Sequence, residues 1–216
     1  MNILRTVLLS AAWLVSLPAF ALSDEGQQRL QHLQTRWAEI NYQLPKAQRA
    51  AAFEKLGAEA ESALKAEPKA PELLIWRGII LSTWAGAKGG VGALGLAKQA
   101  KASLEEAMAI DPRALQGSAY TSLGSLYYQV PGWPIGFGDD KRAETMLLKA
   151  LEINPEGIDP NYFYGDYLFN EKRYAKARAA LQRALAAPDR PGRAEADKGR
   201  RDEVRALLAK VEAELD

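Results

Sequence analysis

The chain has no cysteine, a single histidine and almost no excess of either charge sign. Without cysteine there is no disulfide framework, so packing alone must hold the fold. A thiolate nucleophile and a cysteine-ligated zinc are excluded as well, and so is lipid attachment through a cysteine at an export cleavage site. One histidine, His32, leaves no material for a histidine-rich metal site. It sits beside Leu33 with no candidate ligand nearby and reads as a surface side chain, which argues against Ser-His-Asp chemistry. With 28 basic and 27 acidic residues there is no net field to attract nucleic acid or anionic lipid, and neither partner is implied. Beyond the first twenty-one residues no apolar run could span a bilayer, since 73–85 is short and contains Arg77.

The beginning of the chain has its own character. Arg5 precedes an apolar run from Val7 to Leu17, broken by Pro18, and Ala19-Phe20-Ala21 supplies the small-x-small pattern of a signal-peptidase site. An uncleaved anchor helix is the alternative, but the run falls short of the ~20 residues a membrane span needs. The reading is therefore a cleaved signal over 1–21, with cleavage after Ala21. The mature chain is then expected to be periplasmic or secreted, without membrane insertion.

What is abundant is Ala, Leu and helical spacing. Three segments repeat one pattern: Ala100/Leu104/Ala107/Pro112, Ala143/Leu147/Ala150/Pro155 and Ala177/Leu181/Ala184/Pro188. Each follows another helical stretch with glycine at its centre: Pro71–Ala85 around Gly78, Ser118–Gln129 around Gly124 and Pro160–Asn170 around Gly165. Glycine inside a helix costs ~1 kcal/mol relative to alanine. Three in equivalent places imply that helix backbones approach closely there.

The middle unit reads Tyr120-x-x-Leu123-Gly124-x-x-Tyr127, then Ala143, Leu147 and Pro155 downstream. This resembles the tetratricopeptide repeat, and Tyr174, three residues before Ala177, fits the same pattern. The resemblance covers about 71–188, with weaker phasing back to Ala63 and Pro68. It implies an all-α, right-handed superhelical solenoid of antiparallel helix pairs. Departures are Arg77, where the family prefers leucine, and extra residues inside two units.

The flanks extend this organisation. Leu30, Leu33, Trp37 and Ile40 predict a helix over Glu25–Asn41, and Phe53, Leu56, Ala60 and Leu64 another over Ala47–Ala66. Residues 22–70 thus form a degenerate N-terminal pair. After the turn at Asp189-Arg190-Pro191-Gly192, residues 189–216 carry a stripe of Val204, Leu207, Leu208, Val211 and Leu215, expected as a capping helix. Asp159-Pro160 reads as a helix start with Asp as the cap. Asp139 and Asp140 read as caps before Lys141 in preference to a cation site. Arg190, Arg193, Lys198, Arg200 and Arg201 alternate with acids, which predicts a solvated, ion-paired face.

Two insertions are the most individual feature: 86–95, with five glycines, and 130–139, stiffened by Pro131 and Pro134. Both lie between the helices of a pair, so they should be neighbours on one edge of the solenoid. Trp133, Ile135 and Phe137 on the second are candidate partner contacts; the alternative is that Trp133 and Phe137 fold back over the repeat edge. Gly90-Val-Gly92-Ala-Leu-Gly95 matches G-x-G-x-x-G, but the residues before it read as helix where a dinucleotide fold needs a strand.

The other candidate site is the inner groove. Thr121, Ser125, Tyr128 and Gln129 should face Tyr162, Asp166, Phe169 and Asn170, a mixture of aromatic and amide groups suited to a peptide or small polar ligand. Some of these, Tyr162 and Phe169 above all, could instead pack helix on helix. In tetratricopeptide proteins this surface holds extended peptides, which implies a protein or peptide partner and a non-enzymatic scaffold. Size, export and architecture also resemble, more loosely, the helical accessory component of TRAP-type solute transporters, implying a periplasmic solute-binding protein as partner. No cofactor, metal or catalytic residue is expected.

Overall fold

The computed structural model describes residues 22–215; residues 1–21, expected above to be a cleaved signal, lie outside them. Nine α-helices follow in chain order: α1 Asp24–Ala38, α2 Lys46–Ala66, α3 Pro71–Lys88, α4 Ala93–Ile110, α5 Ala114–Gln129, α6 Asp140–Ile153, α7 Ile158–Asn170, α8 Tyr174–Ala186 and α9 Ala194–Ala213. A π-helical turn, Glu39–Gln43, extends α1. No strand occurs among the described residues, only an isolated bridge between Gly132 and Gly138. The all-α solenoid expected from the repeats is the fold.

The repeat residues explain the pairing. Ala100, Leu104 and Ala107 on α4, Ala143, Leu147 and Ala150 on α6, and Ala177, Leu181 and Ala184 on α8 are all fully buried. Each row packs against the glycine at the centre of its partner helix. A β-carbon added at Gly78 would lie 2.6 Å from Leu104 Cγ, at Gly124 2.6 Å from Leu147 Cγ, and at Gly165 2.8 Å from Leu181 Cγ. Carbonyl oxygens of Ala100, Ala143 and Ala177 lie 3.2, 3.3 and 3.5 Å from those same three points. The leucine fills the space the glycine leaves, so the helix cost of glycine is offset by close packing within the pair.

Local chemistry sets the helix ends. Ser23 caps α1 by accepting from the Gly26 amide at 3.0 Å, and Asp139 caps α6 by accepting from the Arg142 amide at 3.0 Å. Within α5, Leu115, Gln116 and Gly117 have φ of 46°, 57° and 76°, so the regular helix begins at Ser118. Two non-glycine residues in the left-handed region cost of order 1–3 kcal/mol each. The glycine-rich insertion is mostly helical: α3 runs through Lys88 and α4 starts at Ala93, leaving only Gly89–Gly92 irregular. Glycine in 86–88 and 93–95 weakens a helix without preventing it when flanking turns are buried.

The first helices of successive pairs, α1, α3, α5 and α7, stack side by side on the inner face, and α9 continues the row. Besides packing on α8 and α7, α9 reaches back to α1 and its π-helical turn. Gly199 makes this possible: a β-carbon there would sit 2.4 Å from ring carbons of Tyr42. Five inner helices therefore close into a ring around a central channel.

Candidate functional site

Arginines of the C-terminal segment fasten the ring. Arg190 donates to Asp197 at 2.7 Å and to Asp159 at 2.6 Å. Arg200 donates to the other Asp159 oxygen at 2.8 Å and to Glu203 at 2.5 Å, and the Tyr42 hydroxyl donates to Glu203 at 3.3 Å. Burial alone would raise the Asp159 pKa, but Arg200 and Arg190 hold it well below the usual carboxylate range. Two expectations are corrected here. Asp159 is not the cap of α7, because Gly157 occupies that position and both carboxylate oxygens of Asp159 are taken by guanidinium groups. The arginine-rich stretch is ion-paired as expected, but it is solvated only in part: Lys198 and Asp202 are exposed, whereas Asp197 and Arg200 are buried, since α9 turns them towards the ring interior.

The channel holds a cavity of ≈550 Å³, walled by residues of α1, α3, α5 and α7 and by the segment leading into α9. One side is aromatic: Trp37 packs edge-on against Trp76 at 6.0 Å, and its indole N–H donates to Thr83 at 3.0 Å. Hydroxyl groups of α5 and the left-handed turn at Leu115 and Gln116 form another side.

The predicted inner-groove residues divide between two environments. Thr121 and Ser125 line the cavity. Tyr128, Gln129, Asp166 and Asn170 instead form a hydrogen-bonded group towards the other end of their helices. The Tyr128 hydroxyl donates to Asp166 at 2.6 Å, Gln129 donates to Tyr128 at 3.2 Å, and Asn170 donates to the Asp166 carbonyl at 2.9 Å. Burial pushes the Asp166 carboxyl up, more than the Tyr128 hydrogen bond recovers. Tyr162 lies under the Arg200 guanidinium, 4.5 Å from its ring centroid, and its phenol is pushed up to about 12, first by burial. Phe169 packs against Tyr174 of α8 at 5.7 Å. Both therefore make packing contacts with neighbouring helices, Tyr162 with α9 and Phe169 with α8.

The two insertions meet on the outer edge, as their position within the pairs requires: the position of a β-carbon on Gly136 is 3.4 Å from a Leu94 methyl. The second insertion is an ordered loop. Gly138 donates its amide to the Pro131 carbonyl at 3.0 Å, and Asp139 donates its own to Tyr127 at 2.9 Å. Phe137 folds back onto Tyr127 edge to face at 6.0 Å, with Lys101 over both rings. Trp133 and Ile135 do not fold back: they are 90% and 70% exposed, and Val91 on the neighbouring turn is fully exposed.

Other candidates resolve simply. His32 pairs with Glu59 at 2.7 Å on the exposed surface. No group of three potential ligands capable of holding a metal ion occurs among the described residues. The G-x-G-x-x-G stretch joins two helices. Arg77, the departure from the repeat pattern, donates to Glu61 of α2 at 2.7 Å. Among the described residues no helix is long and apolar enough to cross a membrane.

Stacked antiparallel pairs with glycine-to-leucine contacts at equivalent positions define a tetratricopeptide-type solenoid. Among solved structures, the chain is similar to TTC0263, a thermophilic tetratricopeptide protein of Thermus thermophilus. The identity is 26% over 86% of this chain and 89% of that one, with a TM-score of 0.57. Two structures of MamA also match, at 21% and 19% identity and a TM-score of 0.45. They cover 76% and 87% of this chain, and 89% and 92% of theirs. No family model matches the chain, and no curated protein is similar to it in sequence.

Proposed function

We propose that this protein is an exported, non-catalytic scaffold that holds a protein partner on the edge formed by its two insertions. The observation carrying this reading is Trp133, a large aromatic side chain held almost fully exposed on an ordered loop with Ile135 beside it. Such a group buries a large area on binding at little conformational cost, because its loop is already ordered. The tetratricopeptide-type fold supports a protein-binding role, and the signal-like segment over 1–21 supports export. The inner groove residues Tyr128, Asp166 and Tyr162 are engaged with one another or with α9, which favours the edge over the groove for an extended peptide.

The test is a photo-crosslinking residue at Ile135, introduced into the full chain in its native cell. One discrete cross-linked product is expected, and Trp133→Ala should abolish it while export and melting temperature stay unchanged. Absence of any product, or a product indifferent to Trp133→Ala, contradicts the proposal. A solute-binding protein in the cross-link would narrow the role to a transporter accessory.

A further inference from the structure

Of the three arginines of this segment that border the cavity, two are ion-paired. Arg190 and Arg200 share Asp159 and hold Asp197 and Glu203 between them. Arg193 makes no ion pair or side-chain hydrogen bond among the described residues, although it borders the cavity. Its guanidinium lies 4.8 Å from the Trp76 ring centroid, a cation–π contact that uses none of its N–H donors. Burial, followed by repulsion from Arg190, lowers its pKa to about 10, so it stays charged at neutral pH without a fully compensating partner.

The remaining lining says what kind of molecule would complete it. Ser122 and Ser125 border the same cavity, and their hydroxyls make no hydrogen bond among the described residues. Trp37, Ile79 and Phe163 supply an apolar wall. The strained turn at Leu115 and Gln116 also faces the cavity, and such strain tends to persist where a site needs it. A volume of ≈550 Å³ falls in the range of small-molecule sites.

We propose that the central channel binds a small organic carboxylate, its carboxylate held by the Arg193 fork and the α5 hydroxyls and its apolar body against Trp37, Ile79 and Phe163. Of the charged groups bordering the cavity, Arg193 and Glu156 alone have no ion pair among the described residues, so the fork takes no more than one anionic group, and the apolar wall requires more than a bare oxyanion. The site is separate from the outer edge, so it stands or falls independently of the partner proposed there.

Phenylacetate, phenylacetamide and inorganic phosphate serve as probes, with tryptophan fluorescence and ligand-observed NMR on the full chain as readouts. Phenylacetate is expected to bind saturably. The isosteric amide and phosphate should each bind about tenfold more weakly or worse, since a charge-assisted bond or the apolar contact is lost. Arg193→Gln should abolish the preference for acid over amide while the circular dichroism is retained. Arg193→Lys keeps the charge without the fork and should fall between the two, which gives a second reading if the glutamine variant folds poorly. Equal binding of acid and amide, phosphate as tight as phenylacetate, an acid preference surviving in Arg193→Gln, or no binding by about 10 mM would each overturn the proposal.

Discussion

The outer edge and the inner channel are built from the same repeats yet present opposite surfaces. On the edge, an ordered loop pushes Trp133 and Ile135 into solvent while Phe137 anchors it to Tyr127. Inside, aromatic side chains of comparable size are enclosed: Trp37 and Trp76 are buried, and α9 packs back against α1 beside them. The difference teaches that exposure here follows topology rather than residue type. Intra-pair loops project outward and are free to carry a contact residue, whereas first helices converge and are covered once the superhelix meets its own end.

The largest expected effect strikes both regions at once. Leu147→Ala empties the space facing Gly124 in a fully buried position and should cost about 3 kcal/mol of unfolding free energy, measured by urea denaturation. Gly199→Leu should separate the regions. The wedge against Tyr42 is expected to cost about 2 kcal/mol and to raise protease sensitivity near α9, while leaving the edge and its partner untouched.

Asp159→Asn probes the fastening more gently, at about 1–3 kcal/mol near neutral pH, the cost of weakening charge-assisted hydrogen bonds at a partly exposed carboxylate. Its sign with pH is fixed by the lowered pKa of Asp159. The ionised, doubly paired carboxylate contributes its stability above the unfolded-state pKa of about 4, and that contribution is lost as pH falls from there towards the folded value. The variant should therefore lose part of the acid-side decline, as seen in melting temperature against pH. At the small end, Trp133→Ala should change stability by no more than about 0.5 kcal/mol and yet weaken partner binding by about 2 kcal/mol. A large drop in melting temperature would make Trp133 a packing residue and dissolve the contrast between edge and channel.

The helix pairs were legible because one physical rule writes itself three times. A leucine on the second helix needs a glycine on the first, and Gly78, Gly124 and Gly165 record that need at matching positions. The cap at Asp139 was equally visible, being decided within one turn. What escaped depends on accumulated geometry. Whether α9 meets α1 follows from the summed rotation of four helix pairs, and no local spacing encodes it. Hence Asp159 read as a cap when its partners lie 31 and 41 residues away, and Arg190, Arg193 and Arg200 read as one solvated run although two are paired inward and one faces the channel. Gly199 carried the only local hint, a glycine inside an otherwise good helix. The fate of the loop aromatics was split for a related reason: Phe137 has Tyr127 within reach, and Trp133 sits at the far tip.

Ring closure is the claim on which the contrast rests, and the absence of cysteine makes it directly measurable. Spin labels placed at exposed Gln43 and Lys198, by Gln43→Cys with Lys198→Cys, report the separation of the two ends by pulsed electron resonance. A single narrow, short-distance population, broadened and lengthened by adding Gly199→Leu, is the expected result. A broad or long distribution in the otherwise unaltered chain would mean that the superhelix is open, with no enclosed channel.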